Sequence, residues 1–218
     1  MSAPRVIAID GPAASGKSSI MRRVAARLGW LGVNTGNMYR AATWVALRDG
    51  INPEDEGAVA KASEHWNIAC AVHGGKSVVQ VDGKDMEHEL NSIEVNRAVS
   101  LIARVPAVRD RLVAMQRQLG RSQPTVMEGR DIGTVVFPDA PAKFYIDASE
   151  KVRARRRGLQ GQDDALRERD RIDSTRKTAP LVAASDAVII DSSHLTLDEV
   201  VARVLDEVKA RGLNPRDA

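Results

Sequence analysis

The stretch that decides the fold is Arg5-Val-Ile-Ala-Ile-Asp10 followed by Gly11-Pro-Ala-Ala-Ser-Gly16-Lys17-Ser18. Its first half is a continuous apolar run, which is typical of a buried parallel strand. Its second half satisfies the pattern G-x-x-x-x-G-K-S/T, and apolar residues then recur at helical spacing from Lys17 onward. A strand, a glycine-rich turn and a helix in this order predict a phosphate-binding loop, or P-loop.

The spacing within this loop follows from phosphate chemistry. Backbone N–H groups wrap around the β-phosphate, and glycines permit the close approach that this requires. Lys17 is expected to bridge the β- and γ-phosphates of ATP, while Ser18 offers a hydroxyl to Mg²⁺. Ser18 is therefore the candidate metal ligand. The candidate ATP-binding residues are consecutive: Gly11, Pro12, Ala13, Ala14, Ser15, Gly16, Lys17, Ser18 and Ser19.

Short apolar runs alternate with helical patterns along the rest of the chain. The His73-Gly74-Gly75-Lys76 sequence between two β-rich runs predicts a hairpin. Thr196 and Glu199 form a capping-box pattern at the start of the last helix. The predicted elements are helices over 37–48, 93–104 and 107–119, strands over 69–72, 77–81, 125–127, 142–147 and 187–191, and a last helix ended by Gly212 and Pro215. This alternation predicts an α/β fold, a parallel sheet with helices on both faces.

The 218 residues form one predicted domain with a continuous core and two smaller pieces. The hairpin interrupts the α/β alternation, so residues 65–90 are interpreted as a small inserted subdomain. Residues 150–177 are dense in charge and form a predicted short lid, in which the arginines of 153–157 favour an exposed helix face. The core is then assigned to 1–64, 91–149 and 178–218.

Composition excludes several classes of protein. The formal net charge is +3 and only 3% of residues are aromatic, which argues against binding long nucleic acids. The single cysteine, Cys70, excludes an intramolecular disulfide and suits a reducing compartment. No run of eighteen apolar residues and no signal-peptide pattern occur, so a cytoplasmic protein without membrane contact is expected. A monomer is the expected oligomeric state.

Three further segments narrow the function. They are Thr35-Gly-Asn-Met-Tyr-Arg40, Glu128-Gly-Arg-Asp-Ile-Gly-Thr134 with its continuation Val135-Val-Phe-Pro-Asp139, and Arg169-Asp-Arg-Ile-Asp-Ser-Thr-Arg176. Together with Ile9-Asp10-Gly11-Pro12 they resemble bacterial cytidylate kinases, which belong to the P-loop nucleoside monophosphate kinases. The resemblance runs in order from about residue 5 to 210. It implies transfer of the γ-phosphoryl group of ATP to CMP or dCMP, and it implies that 65–90 is a monophosphate-binding insert.

The resemblance also implies roles for particular side chains. It assigns Thr35, Ser100, Arg109 and Asp131 to the cytosine pocket, and Asp173 with Arg169 to the ribose. It assigns Arg40, Arg130 and Arg176 to the acceptor and transferred phosphates, so that these arginines and Lys17 are the catalytic candidates. Tyr39 lies in the same motif and is the remaining substrate-binding candidate, although Tyr39 and Arg40 would by themselves also fit a solvated helix face.

The chemistry of cytosine agrees with these assignments. A carboxylate such as Asp131 can accept a hydrogen bond from the exocyclic amino group, whereas uracil presents a carbonyl oxygen there. Guanidinium groups suit phosphate oxygens through paired N–H donors. Arg130-Asp131 would also fit a structural ion pair.

Other readings of the P-loop stay open from the residues alone. A kinase for UMP, a nucleoside or shikimate has the same loop. A GTPase switch is expected to carry an NKxD motif, which is absent from the sequence. The family often has glycine at the position of Ala14 and Gly-Thr at the position of Ser18-Ser19, so either serine hydroxyl could meet Mg²⁺. Ile172 and Ser174 occupy places where relatives can carry arginines.

Overall fold

The computed structural model describes residues 5–86, 88–158, 166–176 and 178–213, without the side chains of 157 and 166–169. Eight strands and eight α-helices occur within these ranges. The strands are β1 (Val6–Asp10), β2 (Leu31–Asn34), β3 (Ile68–His73), β4 (Lys76–Val81), β5 (Lys84–Asp85), β6 (Thr125–Glu128), β7 (Ala142–Asp147) and β8 (Val188–Asp191). The helices are α1 (Lys17–Leu28), α2 (Thr35–Arg48), α3 (Glu56–Ser63), α4 (Ile93–Ala103), α5 (Pro106–Ser122), α6 (Glu150–Gly158), α7 (Leu166–Thr175) and α8 (Leu197–Ala210).

The strands of the described ranges form one sheet in the order β3-β4-β2-β6-β1-β7-β8, with β5 paired to β4. All neighbours from β4 to β8 run parallel, and β1 lies at the centre between β6 and β7. The carboxyl ends of β1, β2 and β6 therefore meet at one edge of the sheet. This is the edge at which open α/β sheets bind their ligands.

Helices cover both faces of the sheet, as the sequence predicts. Side chains of β1 alternate between the two faces because strand residues point in opposite directions in turn. Val6 and Ala8 pack with residues of α2, α4 and α5, whereas Ile7 and Ile9 pack with residues of α1 and α8. All four side chains are fully buried, which explains why this run has no polar alternation.

The hairpin of β3 and β4 is joined to the central sheet. The turn occupies Gly74 and Gly75, both with positive φ, so the paired strands are longer than predicted. β4 pairs in parallel with β2 at Gly32 and Lys76, where the Gly32 N–H donates to the carbonyl of Gly75 at 3.0 Å. The described part of residues 65–90 thus extends the sheet at its edge.

The predicted capping box of the last helix is confirmed. The backbone N–H of Glu199 donates to Thr196 Oγ1 at 3.3 Å, and the N–H of Thr196 donates to Glu199 Oε2 at 2.7 Å. Gly212 follows the helix with φ of 70°, while the predicted breaker Pro215 lies outside the described residues. No helix within the described ranges combines the length and the apolar character that a membrane span requires.

Candidate active site

A cleft of about 1170 Å³ opens at the carboxyl edge of the sheet. The structure brings most of the sequence-predicted residues to its wall. Gly11, Pro12 and Arg109 lie outside that wall, and the side chain of Arg169 lies outside the described residues. The predicted residues that line the cleft are Ala13, Ala14, Ser15, Gly16, Lys17, Ser18, Ser19, Thr35, Tyr39, Arg40, Ser100, Arg130, Asp131, Asp173 and Arg176.

The phosphate loop has the conformation that its glycines allow. Gly11 has φ of 146°, and a Cβ atom there would lie 2.1 Å from the carbonyl oxygen of Ile146. Gly16 has φ of 97° and precedes the first residue of α1. Ala14, where the family often has glycine, also adopts a left-handed φ of 58°. That conformation costs a residue with a side chain about 1–2 kcal/mol, so the loop carries strain at this position.

The ammonium group of Lys17 is folded back onto the loop. Lys17 Nζ donates to the carbonyl of Pro12 at 2.6 Å and to Ser15 Oγ at 3.3 Å. Burial lowers the pKa of Lys17 to about 7, and the nearby charge of Arg130 acts in the same direction. The carboxylates of Glu128, Asp10 and Asp170 oppose this effect. An anion that arrives beside a buried cation stabilises it further, which agrees with the predicted phosphate site at Lys17.

Ser18 and Glu128 form the polar group at the start of α1. Ser18 Oγ donates to Glu128 Oε1 at 2.5 Å, while Asn34 Nδ2 lies 3.5 Å from Ser18 Oγ. Mg²⁺ takes one or two protein oxygens and keeps substrate phosphates and waters as its other ligands. A hydroxyl and a carboxylate next to the phosphate loop fit this ion. The hydroxyl of Ser19 instead accepts a hydrogen bond from Arg22, at the surface.

The predicted cytosine pocket contains a buried ion pair. Arg109 Nη2 donates to Asp131 Oδ2, and both residues are buried. The Arg109 guanidinium also stands over the ring of Tyr39, 5.6 Å from its centroid. Burial raises the pKa of Tyr39 to about 12, so its hydroxyl is neutral. Tyr39 is therefore not on a solvated helix face, and Asp131 lies between Arg109 and the cleft.

A second charged cluster of the cleft is centred on Asp173. Ser100 Oγ donates to Asp173 Oδ1 at 3.1 Å, and Arg130 Nε donates to Asp173 Oδ2 at 3.0 Å. Arg176 Nε donates to the carbonyl of Asp173 at 3.2 Å. The cluster brings residues of α4, of α7 and of the segment after β6 to one wall. Thr35, by contrast, donates its hydroxyl to the carbonyl of Glu128 at 2.8 Å.

The prediction that the arginines of 153–157 form an exposed face was wrong for Arg153 and Arg156, while the side chain of Arg157 lies outside the described residues. Arg153 pairs with Asp170 of α7, and its Nη1 donates to the carbonyl of Ala13 at 3.3 Å. The N–H of Ala13 in turn donates to Asp170 Oδ1 at 3.0 Å. Arg156 donates to the carbonyl of Ser15 at 3.2 Å. The described part of residues 150–177, the predicted lid, thus contacts the phosphate loop through both α6 and α7.

This contact leads to a prediction about the ligand-free protein. Arg153→Ala should speed hydrogen exchange at the Ala13 amide about tenfold. In this variant Asp170 loses the cation that holds it next to the Ala13 N–H, and a hydrogen bond to a charged group contributes about 1.5 kcal/mol or more. Exchange can be followed for this single amide by NMR. Arg155→Ala, at an exposed position of the same helix, is the matched control. Equal exchange in the two variants would mean that Arg153 does not hold Asp170 against the phosphate loop.

Several site residues were not singled out from the sequence. Asp10, Glu128, Arg153, Arg156 and Asp170 all contact the loop or the segments around it. A signal existed for Asp10 and Glu128, because Asp10 ends one predicted central strand and Glu128 directly follows another, which places both at the ligand-binding edge. No local signal marks the other three, which reach the loop from the charged stretch.

Comparison with known proteins agrees with this geometry. A family model described as cytidylate kinase matches residues 7–210. The cytidylate kinase of Nocardia farcinica is 44% identical over 210 residues, covering 91% of this chain and 90% of that protein. The cytidylate kinase of Mycobacterium avium is 43% identical, covering 97% and 98%. The crystal structure of a gluconokinase from Sinorhizobium meliloti covers 96% of this chain and 94% of its own with a TM-score of 0.51 and 15% identity, a likeness of fold alone.

Proposed function

This chain belongs to the cytidylate kinase family, and from that membership we propose that it transfers the γ-phosphoryl group of ATP to CMP or dCMP, giving ADP and CDP or dCDP. One observation carries the proposal for this chain. A single cleft joins the phosphate loop around Lys17 to a buried carboxylate, Asp131, and to the arginines 130 and 176. The cleft thus offers separate places for a triphosphate, a second phosphate and a base with an amino group.

The reaction needs no nucleophilic side chain. An oxygen of the acceptor monophosphate attacks the γ-phosphorus, and the bond from that phosphorus to the bridging oxygen breaks, which releases ADP. Catalysis then consists of holding the two phosphates in line and neutralising the charge on the equatorial oxygens. We assign this neutralisation to Lys17 on the donor side and to Arg40, Arg130 and Arg176 around the acceptor and the transferred group.

Ser18 and Glu128 would hold Mg²⁺ against the ATP phosphates. The ion supplies positive charge to the β- and γ-oxygens when it is bound. The Ser18–Glu128 hydrogen bond supports Ser18 over Ser19 as the hydroxyl that meets the ion, because among the described residues Ser18 bonds to a carboxylate whereas Ser19 bonds to Arg22.

We also propose an oligomeric state and a cellular location for the enzyme. We place the enzyme in the cytoplasm, where ATP and nucleoside monophosphates are available. A monomer is supported by the scatter of the large exposed apolar side chains of the described residues, which lie on separate elements: Val72, Ile93, Val182 and Ile189. The nucleotides are then its only proposed partners.

The choice of base provides the test of this function. In a coupled assay of ATP consumption, kcat/KM for CMP and dCMP should exceed that for UMP and AMP. Asp131→Asn should lower the ratio for CMP over UMP by about tenfold to a hundredfold, because a hydrogen bond to a charged group contributes about 1.5–3 kcal/mol. Asp139→Asn, exposed in the same segment, should leave the ratio unchanged.

Two results would contradict these assignments separately. A wild-type enzyme without preference for cytosine nucleotides would contradict the function. A preference that survives Asp131→Asn would make Asp131 only the structural partner of Arg109.

A further inference from the structure

Asp10 is a buried carboxylate that the proposed reaction does not use. It ends β1, directly before the phosphate loop, and is 5% exposed. Burial raises the pKa of Asp10 to about 6, against the effect of two backbone hydrogen bonds. A buried charge lowers the stability of the fold unless it is paired or hydrogen-bonded. The hydrogen-bond partners of Asp10 indicate what it does in the structure.

Asp10 caps the turn that follows β6. Its Oδ1 accepts the N–H of Ile132 at 2.8 Å, and its Oδ2 accepts the N–H of Gly133 at 2.7 Å. These are the first two N–H groups of a π-helical turn over Ile132–Val136. A Cβ atom on Gly133 would lie 3.2 Å from Lys143 Cδ, a tight contact, and 3.4 Å from Asp10 Oδ2, close to an ordinary van der Waals distance.

The residue at the N-cap position of that turn is Asp131. An aspartate at this position ordinarily turns its carboxylate back to accept the first free N–H groups of its own helix. Asp131 makes no such bond, and its carboxylate is directed to Arg109. Its own carbonyl accepts the N–H groups of Val135 at 2.9 Å and Val136 at 3.1 Å. Asp10 therefore supplies the cap that Asp131 would otherwise provide.

We propose that Asp10 is a positioning residue for base recognition: by capping the turn at Ile132–Val136 it keeps the carboxylate of Asp131 available to the cytosine amino group. This inference rests on the proposed function, since it assigns Asp131 to the base. It also ties the base pocket to the phosphate loop, because Asp10 is bonded along the chain to Gly11. In this proposal, the positions of the base and of the donor phosphates both depend on the Asp10 carboxylate.

A purely structural cap would behave differently from a positioning residue. Losing a structural cap would lower the stability of the enzyme and slow CMP and UMP phosphorylation alike. Losing a positioning residue would change the ratio between the two acceptors. The test is therefore the selectivity ratio and its dependence on Asp131.

Asp10→Asn keeps the shape of the side chain but sets an NH₂ group against one backbone N–H. The ratio of kcat/KM for CMP over UMP should fall about tenfold, mainly through a higher KM for CMP, with KM for ATP changed less than threefold. The double variant Asp10→Asn with Asp131→Asn should be no less selective than Asp131→Asn alone, because the two residues act on one interaction. An unchanged ratio in Asp10→Asn, or effects that multiply in the double variant, would overturn the proposal.

Gly133→Ala serves if Asp10→Asn does not fold. It adds a methyl group 3.2 Å from Lys143 Cδ and 3.4 Å from Asp10 Oδ2 without removing a charge, and it should lower the same ratio in the same direction. A fully selective Gly133→Ala enzyme with normal kcat would also overturn the proposal. Failure of the proposed function is a separate result, because it would appear in the wild-type enzyme as a lack of preference for CMP over UMP.

Discussion

Lys17→Ala should lower kcat about 10³-fold or more, which corresponds to roughly 4 kcal/mol of transition-state stabilisation. Lys17 is the buried cation of the phosphate loop, and its ammonium is held within the loop by Pro12 and Ser15. In our proposal, this charge lies beside the oxygens on which negative charge collects when the γ-phosphoryl group is transferred. Alanine carries no charge. Water in the place of the ammonium group would stabilise the negatively charged oxygens much less.

The variant should remain folded, because it removes a desolvated charge instead of leaving one unpaired. Circular dichroism and the midpoint of thermal unfolding check this, and kcat comes from the coupled assay. Lys61→Ala, at an exposed position of α3, is the control for loss of a lysine. A folded Lys17→Ala enzyme that keeps a kcat near wild type would remove the loop from the mechanism.

Arg176→Ala should lower kcat about 10²-fold or more while the Kd for ATP changes less than threefold. Arg176 is buried beside Asp173, directly after α7. Burial lowers the pKa of Arg176, and Asp173 opposes this effect. Among the described residues its Nη2 has no hydrogen-bond partner, although it lies 4.0 Å from Asp173 Oδ1. A phosphate in the cleft would satisfy this donor, and the gain is largest when the transferred group carries its greatest charge.

The measurements needed are kcat with saturating CMP and ATP, and the Kd for ATP by calorimetry. Arg155→Ala should be nearly silent in both, since Arg155 is exposed on α6. If Arg176→Ala instead weakened ATP binding as much as it lowered kcat, Arg176 would be a static phosphate anchor with no special role in the transition state.

The features that the sequence predicted well depend on neighbours along the chain. The phosphate loop is a contiguous pattern whose spacing is fixed by the phosphates it binds. The capping box of α8 joins residues three apart, and the apolar run of β1 requires burial on both faces. The short strand β2 and the helix α3 were not predicted, because four and eight residues give too little periodicity to distinguish them from loops.

The features that were missed join residues distant in sequence. Ser18 and Glu128 are 110 positions apart, and Arg153 and Ala13 are 140 apart. The periodicity of a sequence does not reveal such pairs. Arg153, in a charged stretch, was therefore interpreted as solvated although it contacts the loop. The pairing of β4 with β2 is another case, since the hairpin pattern describes the two strands but not the sheet to which they attach. Resemblance to a family directed attention to Asp131 but not to Asp10, which acts through it in our proposal.

The attachment of the hairpin has a consequence for how the enzyme opens. β3 and β4 hold each other through six paired positions, whereas β4 meets β2 at one within the described residues. Backbone pairing thus ties the hairpin to the central sheet at Gly32 and Gly75, and the buried side chains of Val79 and Val81 anchor it in the main core as well. His73, Ser77 and Val79 of the hairpin line the cleft. We expect this wall of the cleft to shift as one body with its apolar side chains still packed, without disturbing β1 or the phosphate loop.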